Sequence, residues 1–297
     1  MSIAEEIKQS FKKGDYLVKL IYINIGVFLV INIFDVVAML FGTGVAGMLV
    51  DYLAMPAYLP QLLWRVWSPI SYMFVHKDFL HILFNMLWLF WMGRIFVEYL
   101  GQQKLLSIYL LGGLAGAALY LLAYNTLPAF SPSPFNPSLI LGASGAVMAI
   151  VLAIATYLPN YTINLMFIGP VRLKYLALAM VVLDILGMAG SNSGGHIAHL
   201  GGATLGILWG YQLRKGTDIF KSVHPIIGKT AQIFKRKDPP IKVHYKSSDR
   251  FSHIRKDPPI DQGKMDKILD KIAKSGYDSL TKEEKDLLFI MSNKKNK

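Results

Sequence analysis

Six stretches of this 297-residue chain are each apolar over a length that suits a membrane-crossing helix, and nothing else in the sequence restricts its fold as much. They lie at about 18–41, 79–100, 104–124, 139–157, 171–189 and 196–213. Each approaches the ~20 residues that a helix needs to cross ~30 Å of hydrocarbon. A segment in hydrocarbon must satisfy its own backbone N–H and C=O groups, which selects helices over open strands. The chain is 53% hydrophobic and only 17% charged, whereas soluble domains are about a quarter charged. The expected fold is an all-α polytopic membrane protein with six transmembrane helices. The polar start (Glu5, Glu6, Lys8, Lys12, Lys13) lacks a small-residue cleavage site and is not read as a signal peptide.

Charge orders these spans. Lys8, Lys12, Lys13 and Lys19 lie before or at the start of the first, Arg94 and Lys104 flank the turn after the second, and Arg172 and Lys174 lie at the start of the fifth. The loops 125–138 and 188–195 carry no charge. Residues 214–297 hold 21 of the 31 Lys/Arg and 11 of the 19 Asp/Glu, hence about +10 of the formal +12. Basic loops mark the cytoplasmic side, so both termini are expected there, with spans two, four and six entering from the outer side. A basic tail suits a solvated segment near anionic lipid. No recognition motif accompanies its charge, so nucleic acid is not an expected partner. There is no cysteine, which excludes disulfides, thiol catalysis and cysteine-ligated metal.

With that orientation, polar residues far apart in sequence share one depth. Ser144 lies between Gly142 and Gly145 in LGASGAVMA, near the outer start of span four. A lone serine there is ordinarily a packing residue. The flanking glycines, however, strip bulk from around its hydroxyl and leave backbone N–H groups accessible, as an oxyanion site requires. His196 and His199 open span six in GGHIAHLGGATLG. Gly202 and Gly206 fall at +3 and +7 from His199, on its face of the helix, so a neighbouring helix can approach there. His199 is therefore the expected base for Ser144, with His196 nearer the loop. A serine hydroxyl is a weak nucleophile until a base takes its proton. No aspartate occupies an obvious third position; Asp184 is nearest by depth, and a dyad is the simpler reading. His81 and Asn85, at i and i+4 in HILFN, share one face of span two. They are either an interhelical hydrogen-bonding pair or donors to a developing oxyanion.

These pieces together resemble the rhomboid family of intramembrane serine proteases, bacterial six-span type. The matching residues are Trp64–Arg65, HKDFLHILFN (76–85), GASG (142–145) and the His-x-x-Gly-x-x-x-Gly run from His199, in family order, over roughly 20–213. The resemblance implies a Ser144–His199 dyad and an oxyanion site of His81, Asn85 and the Ser144 backbone N–H. It implies that Trp64 and Arg65 belong to a loop embedded in the outer leaflet, and that span five and loop 188–195 form a gate and cap. Some family members carry a tyrosine one turn after the nucleophile, where this chain has Met148. A thioether contacts an imidazole edge less directionally, which leaves the orientation of His199 open.

The implied activity is endopeptidase cleavage of single-span membrane proteins within the bilayer, with no cofactor and no metal, in the bacterial inner membrane. The alternative is a rhomboid-like pseudoprotease that binds or escorts membrane proteins; retention of both Ser144 and His199 speaks against it. A metal enzyme using His76, His81, His196 and His199 is a further rival, but no HExxH occurs and no carboxylate is expected to join them.

The expected domains are a cytoplasmic segment at 1–17, the six-span domain at 18–213, a basic linker at 214–260 and a helical-hairpin module at 261–297. The linker contains two Asp-Pro-Pro stretches (238–240 and 257–259), and proline pairs disfavour helix. In the module Met265, Ile268, Leu269 and Ile272 recur at helical spacing. Gly276 suits a helix end, and Thr281 with Glu284 forms a capping box before Leu287, Leu288 and Met291. The sequence assigns this module no partner.

Overall fold

The computed structural model describes residues 5–6, 9–11, 14–133, 135–136, 138–165, 168–233 and 262–294. The chain divides into two compact units, residues 1–236 and 237–297. The first is built on α1 (Tyr16–Leu40), α2 (Phe79–Leu100), α3 (Gln102–Thr126), α4 (Ser144–Tyr157), α5 (Leu173–Gly187) and α6 (Ser193–Arg214). Short helical turns at 48–53, 59–64 and 68–71 fill the loop between α1 and α2.

Among the described residues, α1, α2 and α3 are long and apolar enough to cross a membrane by length and composition alone. The other three expected spans fall short of that measure for physical reasons. Helix α4 has 14 residues, about 21 Å at 1.5 Å per residue. It sits at the centre of the bundle, and every residue from Gly145 to Ala155 is buried. Helix α5 has 15 residues. Helix α6 is long, but its glycines and histidines lower its apolarity. Those glycines serve close packing: a Cβ on Gly206 would fall 2.4 Å from the Ala149 carbonyl oxygen, and one on Gly210 2.5 Å from that of Ala153. The α4 and α6 backbones thus meet along a stripe with a four-residue period, as small residues permit in membrane bundles.

Residues 139–140, expected inside span four, instead form a strand. β1 (Met55–Pro56) pairs antiparallel with β2 (Leu139–Ile140), and Ala57 N–H donates to the Ser138 carbonyl at 2.9 Å. Gly142 N–H donates to the Tyr72 carbonyl, also at 2.9 Å. These bonds tie the chain entering α4 to the α1–α2 loop. A second hairpin, β3 (Thr162–Leu165) and β4 (Gly169–Arg172), links α4 to α5.

The stretch after α6 is not wholly a linker. α7 (Val223–Ile233) packs against α3, with Pro225 in its first turn, where proline is tolerated. His224 is buried; its Nδ1 lies 2.7 Å from Ser107 Oγ on α3, and its Nε2 lies 3.0 Å from Asp218 Oδ2. Trp209 Nε1 donates to Asp218 Oδ1 at 3.0 Å. Burial disfavours the Asp218 carboxylate, but the Trp209 N–H, His224 and the Phe220 N–H outweigh it and hold its pKa below the usual range. The core domain therefore runs past the expected boundary at 213, because Asp218 and the buried His224 bond to Trp209 and Ser107 within it. Both Asp-Pro-Pro stretches lie outside the described residues.

A chain ending at residue 236 is expected to match the full chain's unfolding temperature in detergent. One ending at 215 should unfold at lower temperature, because the buried Ser107 and Trp209 lose their partners at about 1–3 kcal/mol each. Equal unfolding temperatures for the two truncations would reject this clamp.

The second unit contains α8 (Gln262–Ser275) and α9 (Lys282–Lys294). Gly276 between them has φ +79°, a conformation that glycine adopts without steric cost. The capping box is formed: Thr281 N–H donates to Glu284 Oε2 at 2.7 Å and Glu284 N–H donates to Thr281 Oγ1 at 3.3 Å. Lys271 on α8 reaches Glu284 at 2.8 Å, and Ile268 and Leu280 are buried.

Candidate active site

Ser144 is the first residue of α4, and no side chain caps that helix start. The first i→i−4 bond runs from Val147 N–H to the Ala143 carbonyl. The backbone N–H groups of Ser144, Gly145 and Ala146 therefore lack an intrahelical partner, as at any helix start. They carry the partial positive charge of the helix N-terminus. The turn before them is held from behind: Ala143 N–H donates to His76 Nε2 at 3.2 Å. His76 is fully buried in the loop before α2. Burial, and then the neighbouring His81, push its pKa down to about 4. The ring is thus neutral near pH 7 and keeps the lone pair this bond needs.

Ser144 lines a cavity of about 770 Å³ together with His81, Asn85, Met148, Asp184 and His199. Residues from α2, α4, α5 and α6 thus converge on one space. The His81 ring lies against Gly142, where a Cβ would fall 2.7 Å from His81 Cε1 and 2.8 Å from Nε2. Gly142 also has φ +118°, which side-chain-bearing residues rarely adopt. His81 stacks edge-on against His76, with ring centroids 5.0 Å apart. One Asn85 Nδ2 proton goes to the His81 carbonyl at 2.9 Å, which leaves a second for another acceptor.

Gly142→Ala is accordingly expected to push the His81 ring out of place, lowering turnover more than substrate binding. Donors that act on transition-state charge affect kcat in this way. A change confined to KM would count against an oxyanion role for His81.

The third position, left open by the sequence, is filled by Asp184. Its Oδ1 lies 2.7 Å from His199 Nδ1 and 2.8 Å from His196 Nδ1. A carboxylate accepts only, so each Nδ1 carries a proton and donates it to the carboxylate. The Nε2 of His199 is then the free acceptor, the arrangement a general base needs. A carboxylate therefore does join His196 and His199, contrary to the sequence expectation. The signal was present: an ionisable residue in an apolar span is by default a functional candidate.

Other expected residues fall elsewhere. Trp64 is 84% exposed at the end of a short helical turn, and Arg65 donates to the Asp51 carbonyl; neither lines the cavity. His196 also lies outside the lining, with its ring over Gly187 of α5. Met148 is buried and lines the cavity. The cap loop is shorter than expected, because Ser193, Gly194 and Gly195 are already helical in α6.

Residues 63–216 match the model of the rhomboid domain, just over half of the chain. The chain belongs to the rhomboid family. Among its relatives are RHOMBOID-like protein 12, mitochondrial, of Arabidopsis thaliana (36% identical over 160 residues, 51% of this chain and 48% of that protein). Rhomboid protease AarA of Providencia stuartii is 36% identical over 157 residues, 49% of this chain and 54% of that protein. Rhomboid protease GlpG of Haemophilus influenzae is 30% identical over 167 residues, 54% of this chain and 78% of that protein. The chain spans about half the length of the first two of these relatives. Family membership makes the chain an integral membrane protein. The relatives include both bacterial and mitochondrial proteins, so they support a membrane location but not the expected bacterial inner membrane in particular. Residues 254–294 match a family of unknown function, DUF6576.

Proposed function

We propose that this rhomboid-family chain is an intramembrane serine endopeptidase that cleaves single-span membrane proteins. The reading rests above all on the convergence of Ser144, His199, His81 and Asn85 on one cavity at the start of α4. Two relatives are themselves named rhomboid proteases. In the proposed reaction Ser144 Oγ attacks the scissile carbonyl carbon as His199 Nε2 takes the hydroxyl proton. His81, the free Asn85 N–H and the Ser144 backbone N–H then face the oxyanion. Removing one such donor costs about 2.7–4 kcal/mol of transition-state stabilisation in a serine protease. The C–N bond breaks as His199 passes its proton to the leaving amine. Water, deprotonated by His199, then attacks the acyl carbon; the bond to Ser144 Oγ breaks and His199 returns the proton to that oxygen.

Asp184 is assigned a positioning role: it holds His199 with Nε2 toward the cavity and stabilises the imidazolium. Helical substrates hide their carbonyls, so Gly or Pro near the cleavage site should favour cutting. By the charge rule the cavity opens to the side opposite the basic termini.

The test is cleavage of a model single-span substrate by purified protein, with fluorophosphonate labelling as a second readout. Wild type is expected to cut and to be labelled, and Ser144→Ala to do neither. Cleavage by purified Ser144→Ala above background would sink the assignment.

A further inference from the structure

His196 has no part in the reaction just described, yet it is built into the bundle with care. Its ring lies over Gly187, where a Cβ would fall 2.5 Å from Cε1 and Nε2, so α5 carries a glycine where this ring needs room. Its Nδ1 meets the same carboxylate oxygen that holds His199. One ligand atom from each of Asp184, His196 and His199 lies within 4.8 Å of the other two. Two come from α6 at i and i+3, on one helical face; the third comes from α5.

We propose that Asp184, His196 and His199 form a transition-metal site of the zinc class, and that filling it switches the enzyme off. The donor chemistry fits, since two imidazoles and a carboxylate are ordinary zinc ligands. Zinc–ligand bonds of about 2.0–2.2 Å in a tetrahedron set neighbouring ligand atoms about 3.3 Å apart. The two nitrogens now stand 2.7 and 2.8 Å from the oxygen. An ion entering among them needs each oxygen–nitrogen distance to open by about 0.5 Å. Asp184 and His199 line the cavity, so a water can complete the tetrahedron from that side.

The inhibitory consequence follows from the tautomer. A neutral imidazole has one N–H. With Asp184 as acceptor that proton sits on Nδ1 of His199, and Nε2 has a lone pair for the Ser144 proton. Metal on Nδ1 uses the lone pair there, so the proton must sit on Nε2. The Nε2 that would take the Ser144 proton then donates and cannot accept. No net proton is gained or lost by the ring; only its position changes. The inhibition rests on the proposed role of His199 as base, whereas the binding does not.

The experiment uses the purified full-length chain in detergent, with Co2+ as a spectroscopic probe and Zn2+ as the inhibitor. Wild type and Ser144→Ala are both expected to give the visible absorption of tetrahedral Co2+, displaced by Zn2+. His196→Ala should weaken cobalt binding by more than the roughly 10–100-fold that loss of an outer-shell contact brings. Zn2+ should suppress cleavage by wild type, and a chelator should restore it. His196→Ala, measured against its own zinc-free rate, should lose this sensitivity. Cobalt that stays in its aqueous, six-coordinate spectrum with wild type would overturn the site. So would equal zinc sensitivity of wild type and His196→Ala. Tetrahedral cobalt in wild type and Ser144→Ala, with no cleavage by wild type, would uphold the site and overturn the protease reading.

Discussion

His199→Ala should lose as much activity as Ser144→Ala, and the double variant should lose no more than either. In the proposed mechanism the nucleophile and its base act as one device. Without the base the hydroxyl keeps its proton, and without the hydroxyl the base has nothing to activate. In a soluble serine protease each such single loss costs about as much as removing the whole set, on the order of a millionfold in kcat. Both variants remove polar atoms facing a cavity, so the apolar packing of the bundle stays in place and the proteins should still insert. Asp184→Asn should fall between wild type and His199→Ala, because an amide no longer selects the Nδ1–H tautomer. His196→Ala should keep measurable turnover, since its ring does not line the cavity. The measurement is single-turnover cleavage of a model single-span substrate by each purified variant. Additive losses in the double variant would mean that Ser144 and His199 act in separate steps.

How far the chain could be read beforehand depends on which physical signal each feature carries. Lipid-facing helices announce themselves by length and apolarity, and α1, α2 and α3 were legible for that reason. The central helix was legible as apolar but not in its start. Leu139 and Ile140 are as hydrophobic as the helix that follows, and only their pairing with Met55 and Pro56 makes them a strand. Helix α4 is also buried on every side, so its sequence gives no amphipathic stripe to say which face meets which neighbour. The glycines at 202 and 206 did give such a stripe for α6, and with it a reason to prefer His199 over His196. Asp184 was legible only as the nearest carboxylate by depth, because its contact with both histidines depends on the rotation of α5 relative to α6, which no single segment encodes. The clamp at Ser107, Asp218 and His224 escaped for a related reason: Asp218 and His224 belong to a basic stretch that looks solvated until the fold sets it against Ser107 of the apolar α3.

The close approach of α4 and α6 brings Ser144 and His199 to one cavity. Gly202→Ala adds one methyl group to α6, one turn beyond His199. In an unpacked helix this change stabilises by roughly 0.5–1 kcal/mol, because glycine is the more flexible residue when unfolded. Here the new Cβ would fall 2.0 Å from the Gly145 carbonyl oxygen and 2.9 Å from its carbonyl carbon. Those atoms are backbone and cannot rotate away as a side chain does, so the two helices must separate. Overpacking typically costs about 1–3 kcal/mol and occasionally more, and contact with backbone belongs at the upper end, so the penalty outweighs the gain. Gly145 follows Ser144 directly, so the separation also pulls the serine away from His199. Gly202→Ala should therefore lower the unfolding temperature in detergent and reduce cleavage even at temperatures where it stays folded. Gly26→Ala on α1 is the control, because a Cβ there meets nothing within 4 Å, and it should leave stability unchanged or slightly raised. If both variants unfold and cleave like wild type, the close approach of α4 and α6 is not what sets the catalytic geometry.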